Sequence, residues 1–561
     1  MSVPAESWEA RAAGKRARTL AKIPRAWRLD PAQLNSAKRQ RNLTGAFINR
    51  FLQPREIEIV SQDSVELTRA ISNAEISAVE VTTAFCKTAA VAHQINNCLH
   101  EIFFDQALER AKELDTYLTE NGNTDQFHVK GVDTAMGYVG WIGSNLGTKD
   151  PSQAHQVESQ ITTELLSLGA VLYCKTSLPQ TLLFGETKNN IIGQTLNPHN
   201  QNLSCGGSSG GEGALQALRG STLGVGTDIG GSVRIPAAFN SIFSLKPTPE
   251  RLSYREVANT NPGQNTYRST AGFLSTSVGG LELALRSTLS AKPWIRDPAV
   301  VPIPFYEDEI FLVRERADAD GGARELHLPL KLGVLWTDKM VGPHLPVLRG
   351  LRTVVSALRD AGHKVVDWEP PLHATAERIH ASFLEADGAH DVHSHLDLSG
   401  EPLISDLQEA FQLRPPLDLL ETQDLTLRGL EYEAAYSDYW NSSPDDGQIV
   451  DAVIMPVAPH AAVIPGKYYH TVINLLNYSV VVIPVTKANK DTDVVDPSYQ
   501  PLNDLDKKNW EAYDPEAYDG APVGLQLVAR KFEEEKILGI AQIVTATLKA
   551  QGMTNCNTSV G

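Results

Sequence analysis

One stretch, Ser204 to Lys246, constrains the fold of this chain more than any other. It reads SCGGSSGGEGALQALRGSTLGVGTDIGGSVRIPAAFNSIFSLK and contains two glycine–serine clusters, CGGSSGGEG and GTDIGGSVRIP. Glycines at this density let the backbone adopt positive φ and come close to a ligand, at an entropic cost. Between the clusters the pattern predicts a short helical segment, Ala214 to Arg219, and an apolar strand, Thr222 to Val225. The stretch therefore predicts a ligand site built largely from main-chain atoms.

The second cluster places a candidate nucleophile. The predicted strand runs into Thr227-Asp228-Ile229-Gly230-Gly231-Ser232, and a helical start follows at Val233. Ser232 is therefore expected near a helix N-terminus, beside N–H groups that have no partner inside the helix. This position suits a hydroxyl that attacks a carbonyl carbon while the backbone amides bind the oxyanion.

The motifs GGSSGGEGA and GTDIGGSVRIPA resemble the signature of the amidase signature family, serine hydrolases that cleave carboxylic amides. The resemblance extends from Asp63 to Leu548 and points to the acetamidase-like fungal general amidases within that family. It implies an α/β fold: a single α/β/α domain with a central mixed, largely parallel sheet surrounded by helices. It also implies that no metal or organic cofactor takes part.

The resemblance further implies a Ser–Ser–Lys triad. Ser232 matches the nucleophile that forms the acyl-enzyme, and Ser208 matches the bridging serine, which the family holds by a cis peptide bond to the preceding glycine, here Gly207. Ser208 and Ser232 are thus the predicted catalytic residues.

The same resemblance assigns the substrate contacts. The backbone amides of Ile229, Gly230, Gly231 and Ser232 match the oxyanion loop, and Ser208 completes the predicted substrate-binding set. Asp228 and Arg234 also match family positions. We interpret them as supports that fix the loop; a local ion pair with no catalytic role is the alternative.

The third member of the triad is missing from its expected place. In the family the base is a lysine at the end of a glycine-started apolar strand, directly before an aspartate. Here DQFHVKGVDTAMGYVGWIG fits the family pattern from Asp125 onward, but Thr124 precedes it. No apolar strand is predicted before Thr124, so the chain is expected to pass directly from a helix into the motif. A hydroxyl is too weak a base at neutral pH to replace a lysine.

Neither of two nearby lysines is expected to replace the missing base. Lys130 lies beyond the motif, where the family usually has a surface residue, and Lys175 matches a position in the pocket wall. Either the protein has lost its base, or the sequence lacks coding residues between Asn121 and Asp125. The intact flanks favour the second explanation.

Three other patterns allow alternative interpretations. CGGSSG contains the G-x-S-x-G spacing of a nucleophile elbow, but the polar residues before it do not predict the strand that an elbow requires. His390 to His395 could ligate a metal, although its spacing fits no structural zinc pattern and a solvated loop after a helix is the alternative. Val457 to His470 resembles the family segment that lines the acyl pocket, where Tyr468, Tyr469 and His470 could face substrate or pack in the core.

Composition and charge restrict the partners. A formal net charge of −17 argues against nucleic acid and anionic membranes as partners. The five cysteines show no CxxC spacing, and no apolar run is long enough for a signal peptide or a transmembrane helix. We therefore expect a cytoplasmic protein that acts on a small-molecule amide, as a possible homodimer.

The remaining chain predicts alternating helices and strands. The predicted helices are Ser64–Ser72, Ser77–Gln94, Asp105–Leu118, Ile161–Leu168, Gly280–Ser290, Val347–Ala361 and Glu534–Lys549. The predicted strands are Val171–Cys174, Leu332–Trp336, Lys364–Trp368, Ala452–Val457, Ser479–Val485 and Val523–Val528. We divide the chain into an N-terminal helical arm (1–60), an amidase signature domain (61–550) and a C-terminal tail (551–561). The preferred function is amide hydrolysis; the alternative is a catalytically inactive amide-binding or scaffold protein of the same fold.

Overall fold

The computed structural model of the protein describes residues 6–115, 122–124, 126–143, 156–264, 266–317, 329–442, 446–466 and 474–552. The predicted helix Asp105–Leu118 is α7 as far as Leu114, and residues 116–118 lie outside this described part.

An eleven-stranded sheet forms the centre of the fold, with the order β1-β3-β2-β6-β8-β7-β12-β13-β11-β9-β10, and β4 and β5 form a separate two-stranded sheet. The strands are β1 (Leu99–Ile102), β2 (Gly122–Thr124), β3 (Cys174–Thr176), β4 (Lys188–Asn189), β5 (Gly193–Gln194), β6 (Leu223–Asp228), β7 (Phe243–Lys246), β8 (Thr270–Ser275), β9 (Lys331–Val334), β10 (Lys364–Asp367), β11 (Ala452–Pro456), β12 (Ser479–Lys487) and β13 (Pro522–Ala529).

The mixed α/β sheet is confirmed, but the prediction that it is largely parallel is wrong. Among the described strands, β2 is parallel to β3 and β6, and β9 is parallel to β10 and β11. The six other pairings are antiparallel. Helices cover both faces of this sheet, so parallel and antiparallel strands alike carry apolar residues on both faces. An apolar run therefore could not reveal strand direction.

The α-helices supply the outer layers. They are α1 (Trp8–Ala21), α2 (Pro31–Lys38), α3 (Ala46–Asn49), α4 (Pro54–Ser61), α5 (Ser64–Ser72), α6 (Ala78–Asn96), α7 (Phe104–Leu114), α8 (Gln160–Ser167), α9 (Gly210–Ala217), α10 (Arg234–Asn240), α11 (Val278–Ser290), α12 (Glu307–Ala317), α13 (Leu345–Asp360), α14 (His373–Leu384), α15 (His390–Asp397), α16 (Leu419–Ser442), α17 (Asp504–Glu511), α18 (Pro515–Tyr518) and α19 (Glu534–Ala550). Among the described helices, none combines the length and the apolar composition that crossing a bilayer requires.

Strand β13 shows how the helices are layered. A Cβ built on Gly524 would lie 2.6 Å from Ala238 of α10, whereas a Cβ on Gly350 of α13 would lie 3.2 Å from the Val523 side chain. Successive side chains of a strand point to opposite faces, so α10 and α13 cover opposite faces of the sheet. This is the α/β/α arrangement that the sequence predicted.

The N-terminal helices share a core with the main body. Ile23, Phe47 and Ile59 pack in one buried cluster with residues of α6 and α9. Polar contacts add to this packing, since Lys15 of α1 forms ion pairs with Glu101 and Asp133. The division into arm, domain and tail stays a prediction.

Most predicted elements occur within a few residues of their expected bounds. The Ser77 side chain accepts a hydrogen bond from the Glu80 amide at 3.1 Å, as expected of an N-cap. The strand expected at Val171–Cys174 is displaced to Cys174–Thr176.

Strand β2 was not predicted from the sequence. Instead of passing directly from a helix into the motif, the chain forms a three-residue strand, Gly122–Thr124, parallel to β3 and β6. Without β2, the facing edges of β3 and β6 would leave backbone groups unpaired, and this pairing outweighs the poor strand preference of Gly and Asn. Thr124 therefore occupies the carboxyl end of a strand beside β6.

Candidate active site

Ser232 follows β6 at the point where the chain turns into α10. Strand β6 is buried along its whole length, whereas Ile229 and Gly230 are half-buried, so the loop reaches the protein surface. Ser232 itself is 9% exposed. Gly231 has φ of +112°, a value that favours glycine, and this residue makes the sharp turn before Ser232 possible.

Asp228, at the end of β6, holds the loop from inside. Its carboxylate accepts hydrogen bonds from the amides of Gly231 (2.9 Å) and Val233 (3.2 Å), from the Arg234 guanidinium (3.0 Å to each oxygen) and from the Asn474 side chain (2.8 Å). Burial alone would raise the pKa of Asp228, but the Arg234 charge and these donors hold it well below its ordinary value. The interpretation of Asp228 and Arg234 as loop supports agrees with this geometry.

The loop presents several backbone donors. Among the described residues, the amides of Ile229, Gly230 and Ser232 have no hydrogen-bond acceptor. The amide of Gly231, the fourth predicted donor, is already bonded to Asp228. Three of the four predicted amides are therefore available to an oxyanion.

Ser208 lies beside this loop. The Gly207–Ser208 peptide bond is cis, as the resemblance implied, and Ser208 is 3% exposed. The amide of the next residue, Ser209, donates to the Ser232 carbonyl at 3.1 Å. This bond joins the two glycine–serine clusters directly and brings Ser208 and Ser232 into one site.

The bridging segment rests on the chain between Phe184 and Glu186. A Cβ on Gly207 would lie 2.7 Å from the carbonyl oxygens of both residues, so no side chain fits there. The Glu186 carboxyl accepts a bond from the Gly466 amide at 2.7 Å, and burial raises the pKa of Glu186 to about 7. No role for Glu186 was predicted from the sequence.

The segment that should provide the base is tied to the nucleophile strand. In β2, Thr124 pairs with Thr176 of β3, and Asn123 pairs with Val225 of β6. Beyond them, the Thr227 hydroxyl donates to the Gln126 side chain at 2.6 Å. Thr124, at the position where the resemblance predicts the base, therefore ends a strand that pairs with both β3 and β6.

Neither of the other lysines replaces this group. Lys130 is exposed on a turn, as expected of a surface residue. Lys175 is buried, and its ammonium group donates to the Asp133 carbonyl (2.8 Å) and to the Thr134 hydroxyl (2.7 Å).

The histidine-rich segment is a helix, so the prediction of a solvated loop is wrong. In α15, His395 Nε2 lies 3.5 Å from Asp391, and its Nδ1 accepts from the Trp141 indole at 3.2 Å. His393 Nε2 donates to the Phe411 carbonyl at 2.8 Å. These contacts pack α15 against its neighbours and explain why the segment is ordered; within the described ranges, no group of three side chains is placed to hold a metal ion.

Tyr468, Tyr469 and His470, the residues predicted to face substrate or pack in the core, lie outside the described residues.

The family model described as Amidase matches residues 80–538 of the chain. The chain belongs to the Amidase family. This amidase-family chain is 40% identical to an acetamidase of Aspergillus oryzae, over 97% of its own length and 99% of the relative's, and 39% identical to an acetamidase of Emericella nidulans, over 96% and 98%. Among solved structures it is similar to a fatty acid amide hydrolase, with a TM-score of 0.86 and 28% identity over 96% of this chain and 95% of that one. The protein is thus an amidase-family hydrolase with the fold that its signature predicted.

Proposed function

We propose that this protein hydrolyses a small or medium monocarboxylic amide through an acyl-enzyme on Ser232. The observation that carries the proposal is a serine at the end of β6 beside the unoccupied amides of Ile229, Gly230 and Ser232. Preorganised backbone donors of this kind stabilise the oxyanion of a tetrahedral intermediate, and removing one costs roughly 100- to 1,000-fold in rate. The names of the two acetamidases support a small amide as the substrate.

In the proposed reaction Ser208 relays protons. In the triad that the resemblance implies, a lysine accepts the Ser208 proton while Ser208 accepts the proton of Ser232, whose oxygen attacks the carbonyl carbon of the amide; with Thr124 in its place, solvent water must accept that proton. The carbonyl oxygen becomes an oxyanion held by the loop amides. Ser208 then protonates the amide nitrogen and regains its own proton from the acceptor, the C–N bond breaks, and ammonia or an amine leaves. Water attacks the acyl-enzyme in the same way, which releases the carboxylate and regenerates Ser232. The chemistry uses no cofactor.

The position of the base determines how fast this protein reacts. A lysine at the end of β2 would complete the triad that the resemblance implies, and Thr124 cannot accept a proton at neutral pH. We therefore propose that the chain with Thr124 is acylated slowly and that its site is otherwise complete.

A fluorophosphonate, which phosphonylates activated serines, tests the nucleophile. We expect labelling on Ser232 in the wild-type protein, loss of labelling in Ser232→Ala, and slower labelling in Ser208→Ala. Ser167→Ala, on the exposed end of α8, is the matched control and should label like wild type. Labelling that persists in Ser232→Ala would contradict the assignment of the nucleophile.

A second candidate function is amide binding without turnover, and Thr124 at the base position favours it. Calorimetric titration with acetamide, together with an ammonia-release assay, separates the two. Saturable binding with no ammonia release and no labelling would support the binding protein.

Two further proposals rest on the resemblance and on composition alone. We propose a cytoplasmic location and a homodimer. Cell fractionation and light scattering of the purified protein test them; a membrane-pelleted or secreted pool, or a monomeric mass, would contradict them.

A further inference from the structure

His380 lies behind the loop that presents the three free amides. It belongs to α14, is 1% exposed, and its Nε2 atom lies 2.8 Å from the carbonyl oxygen of Ile229. A carbonyl oxygen only accepts hydrogen bonds, so Nε2 carries the proton and donates it. Burial lowers the pKa of His380 to about 4, so the ring is a neutral donor at pH 7.

This hydrogen bond sets the direction of the following amide. The carbonyl of Ile229 and the N–H of Gly230 belong to one planar trans peptide unit and point in opposite directions. Because His380 holds the carbonyl toward α14, the Gly230 N–H must point away from α14. The hydrogen bond from His380 therefore fixes the direction of the Gly230 N–H, which is one of the proposed oxyanion contacts.

The next peptide unit is held from a different side. The Gly231 N–H donates to Asp228 at 2.9 Å, which fixes the unit that joins Gly230 to Gly231. Two consecutive peptide units are thus oriented by two side chains, His380 and Asp228, that come from separate elements.

The loop needs such an external hold because it contains two successive glycines. Without a Cβ on Gly230, the Ile229–Gly230 unit can rotate at little steric cost. Rotation would put a carbonyl oxygen where the Gly230 N–H now lies, and that oxygen would repel an oxyanion. In the native orientation, loss of the donor would leave the Ile229 carbonyl without its hydrogen-bond partner, which destabilises that orientation.

Helix α14 is held firmly enough to act as this support. Ile379 and Phe383 belong to the same buried cluster as Tyr267 and Leu475. The Phe383 and Tyr267 rings pack edge to face at 4.8 Å, and the Tyr267 and His380 rings lie 5.9 Å apart. The imidazole therefore has a fixed position relative to the loop.

We propose that His380 is a positioning residue for amide hydrolysis: by donating from Nε2 to the Ile229 carbonyl, it keeps the Gly230 N–H directed at the oxyanion. This inference rests on the proposed function. It assigns His380 no contact with the substrate and no proton transfer.

The test compares variants that keep or remove the donor. In His380→Gln the side-chain amide can still donate to the Ile229 carbonyl, whereas His380→Phe keeps a ring without a donor and His380→Met is a second donor-free variant for the case that Phe does not fit. The probes are a fluorophosphonate and an alkyl boronic acid, which forms a tetrahedral anion on the nucleophilic serine. Thermal unfolding of each variant shows that it is folded.

We expect the donor-free variants to label about 10- to 100-fold more slowly and to bind the boronic acid about 10- to 100-fold more weakly. This loss is smaller than the loss caused by removing a whole oxyanion donor, because the Gly230 N–H is misdirected and not removed. KM for the amide should change less than about threefold, because the ground-state carbonyl gains little from the oxyanion contact. His380→Gln should stay within about threefold of wild type in both measurements.

Failure of the role of His380 and failure of the proposed function give different results. Wild-type labelling and boronate binding that are unchanged in a folded His380→Phe or His380→Met would overturn the role of His380 and leave the proposed function intact. A wild-type protein that neither labels on Ser232 nor binds the boronic acid would overturn the proposed function, and this inference with it.

Discussion

The nucleophile stretch, Ser204 to Lys246, and the base segment, residues 122–143, are neighbours in the sheet but are supported very differently. The nucleophile stretch is buried almost throughout, and the Asp228 carboxylate alone gathers donors from the loop, α10 and Asn474. The base segment contributes a three-residue strand, and its polar contacts are spread over several residues. Gln126 bonds to Thr227 and Tyr254, and Asp133 bonds to Lys15, Gly143 and Lys175.

The two segments meet at the β2–β6 pairing and at the Thr227–Gln126 hydrogen bond. The oxyanion loop is oriented by Asp228 and His380, neither of which lies on the base segment. We therefore expect a change at Thr124 to leave the oxyanion loop in place. Substitutions in each segment test this contrast.

Restoring an amine at the end of β2 should have the largest effect. In Thr124→Lys we expect the rate of ammonia release from acetamide to rise about 100- to 10,000-fold, the usual contribution of a positioned general base. Thr124→Met, similar in length but without the amine, is the control. Equal rates for the two variants would show that the base segment lacks more than one side chain.

We expect the second largest effect from neutralising Asp228, which holds the nucleophile stretch from inside. Asp228→Asn leaves the buried Arg234 guanidinium without its carboxylate, and breaking such a pair typically costs about 3–5 kcal/mol. Urea unfolding at pH 7 measures the loss. The matched change in the base segment, Asp133→Asn, should cost about 1 kcal/mol, the value of an ordinary hydrogen bond, because Lys15 keeps its ion pair with Glu101. Similar losses in both variants would refute the contrast between the segments.

Close packing in the nucleophile stretch predicts a smaller loss. A Cβ on Gly211 would lie 2.3 Å from the Ser177 nitrogen and 2.7 Å from the Cys98 carbonyl oxygen. Since backbone atoms cannot move aside easily, Gly211→Ala should destabilise the protein by about 1–3 kcal/mol. Gly263→Ala, where a Cβ meets open space, should be near neutral. A melting temperature for Gly211→Ala equal to that of Gly263→Ala would show that α9 can shift.

The smallest effect concerns Glu212, which is buried in α9 and accepts from Gln216 at 3.0 Å. Burial raises the pKa of Glu212 from 4.5 to about 7, so the folded chain keeps a proton that the unfolded chain has lost. Its contribution to stability therefore declines as pH rises from about 4.5 to about 7. Glu212→Gln has no proton to lose, so it should match wild type near pH 5 and become the more stable of the two at pH 8. Urea unfolding at pH 5 and pH 8 measures the free energy of unfolding of both proteins. An equal response of the two proteins to pH would contradict the argument that burial raises the pKa of Glu212.

Much of the fold was predictable because helix ends and apolar periodicity are local signals. Helix α5 has the predicted bounds, and the strands near Ala452, Ser479 and Val523 appear within a few residues of theirs. Strand β2 was not predictable, because Gly-Asn-Thr has no strand signal of its own and pairs only because two neighbouring edges flank it.

The candidate site divides in the same way. Ser208, Ser232 and the glycine loop could be predicted as site residues because they lie in short, contiguous motifs. His380 and Asn474 reach the same loop from 151 and 246 residues away in the chain, and no local pattern distinguishes them from other polar residues on helices and loops.

Residue identity and short spacing were enough to predict the family, the α/β class and the two candidate serines, and to show that no lysine precedes Asp125. The direction of the strands, the loop amides that stay unbonded and the distant side chains that orient the loop became known only from the folded chain. Those features depend on which backbone groups remain unpaired after the sheet has formed, and that is a property of the assembled fold.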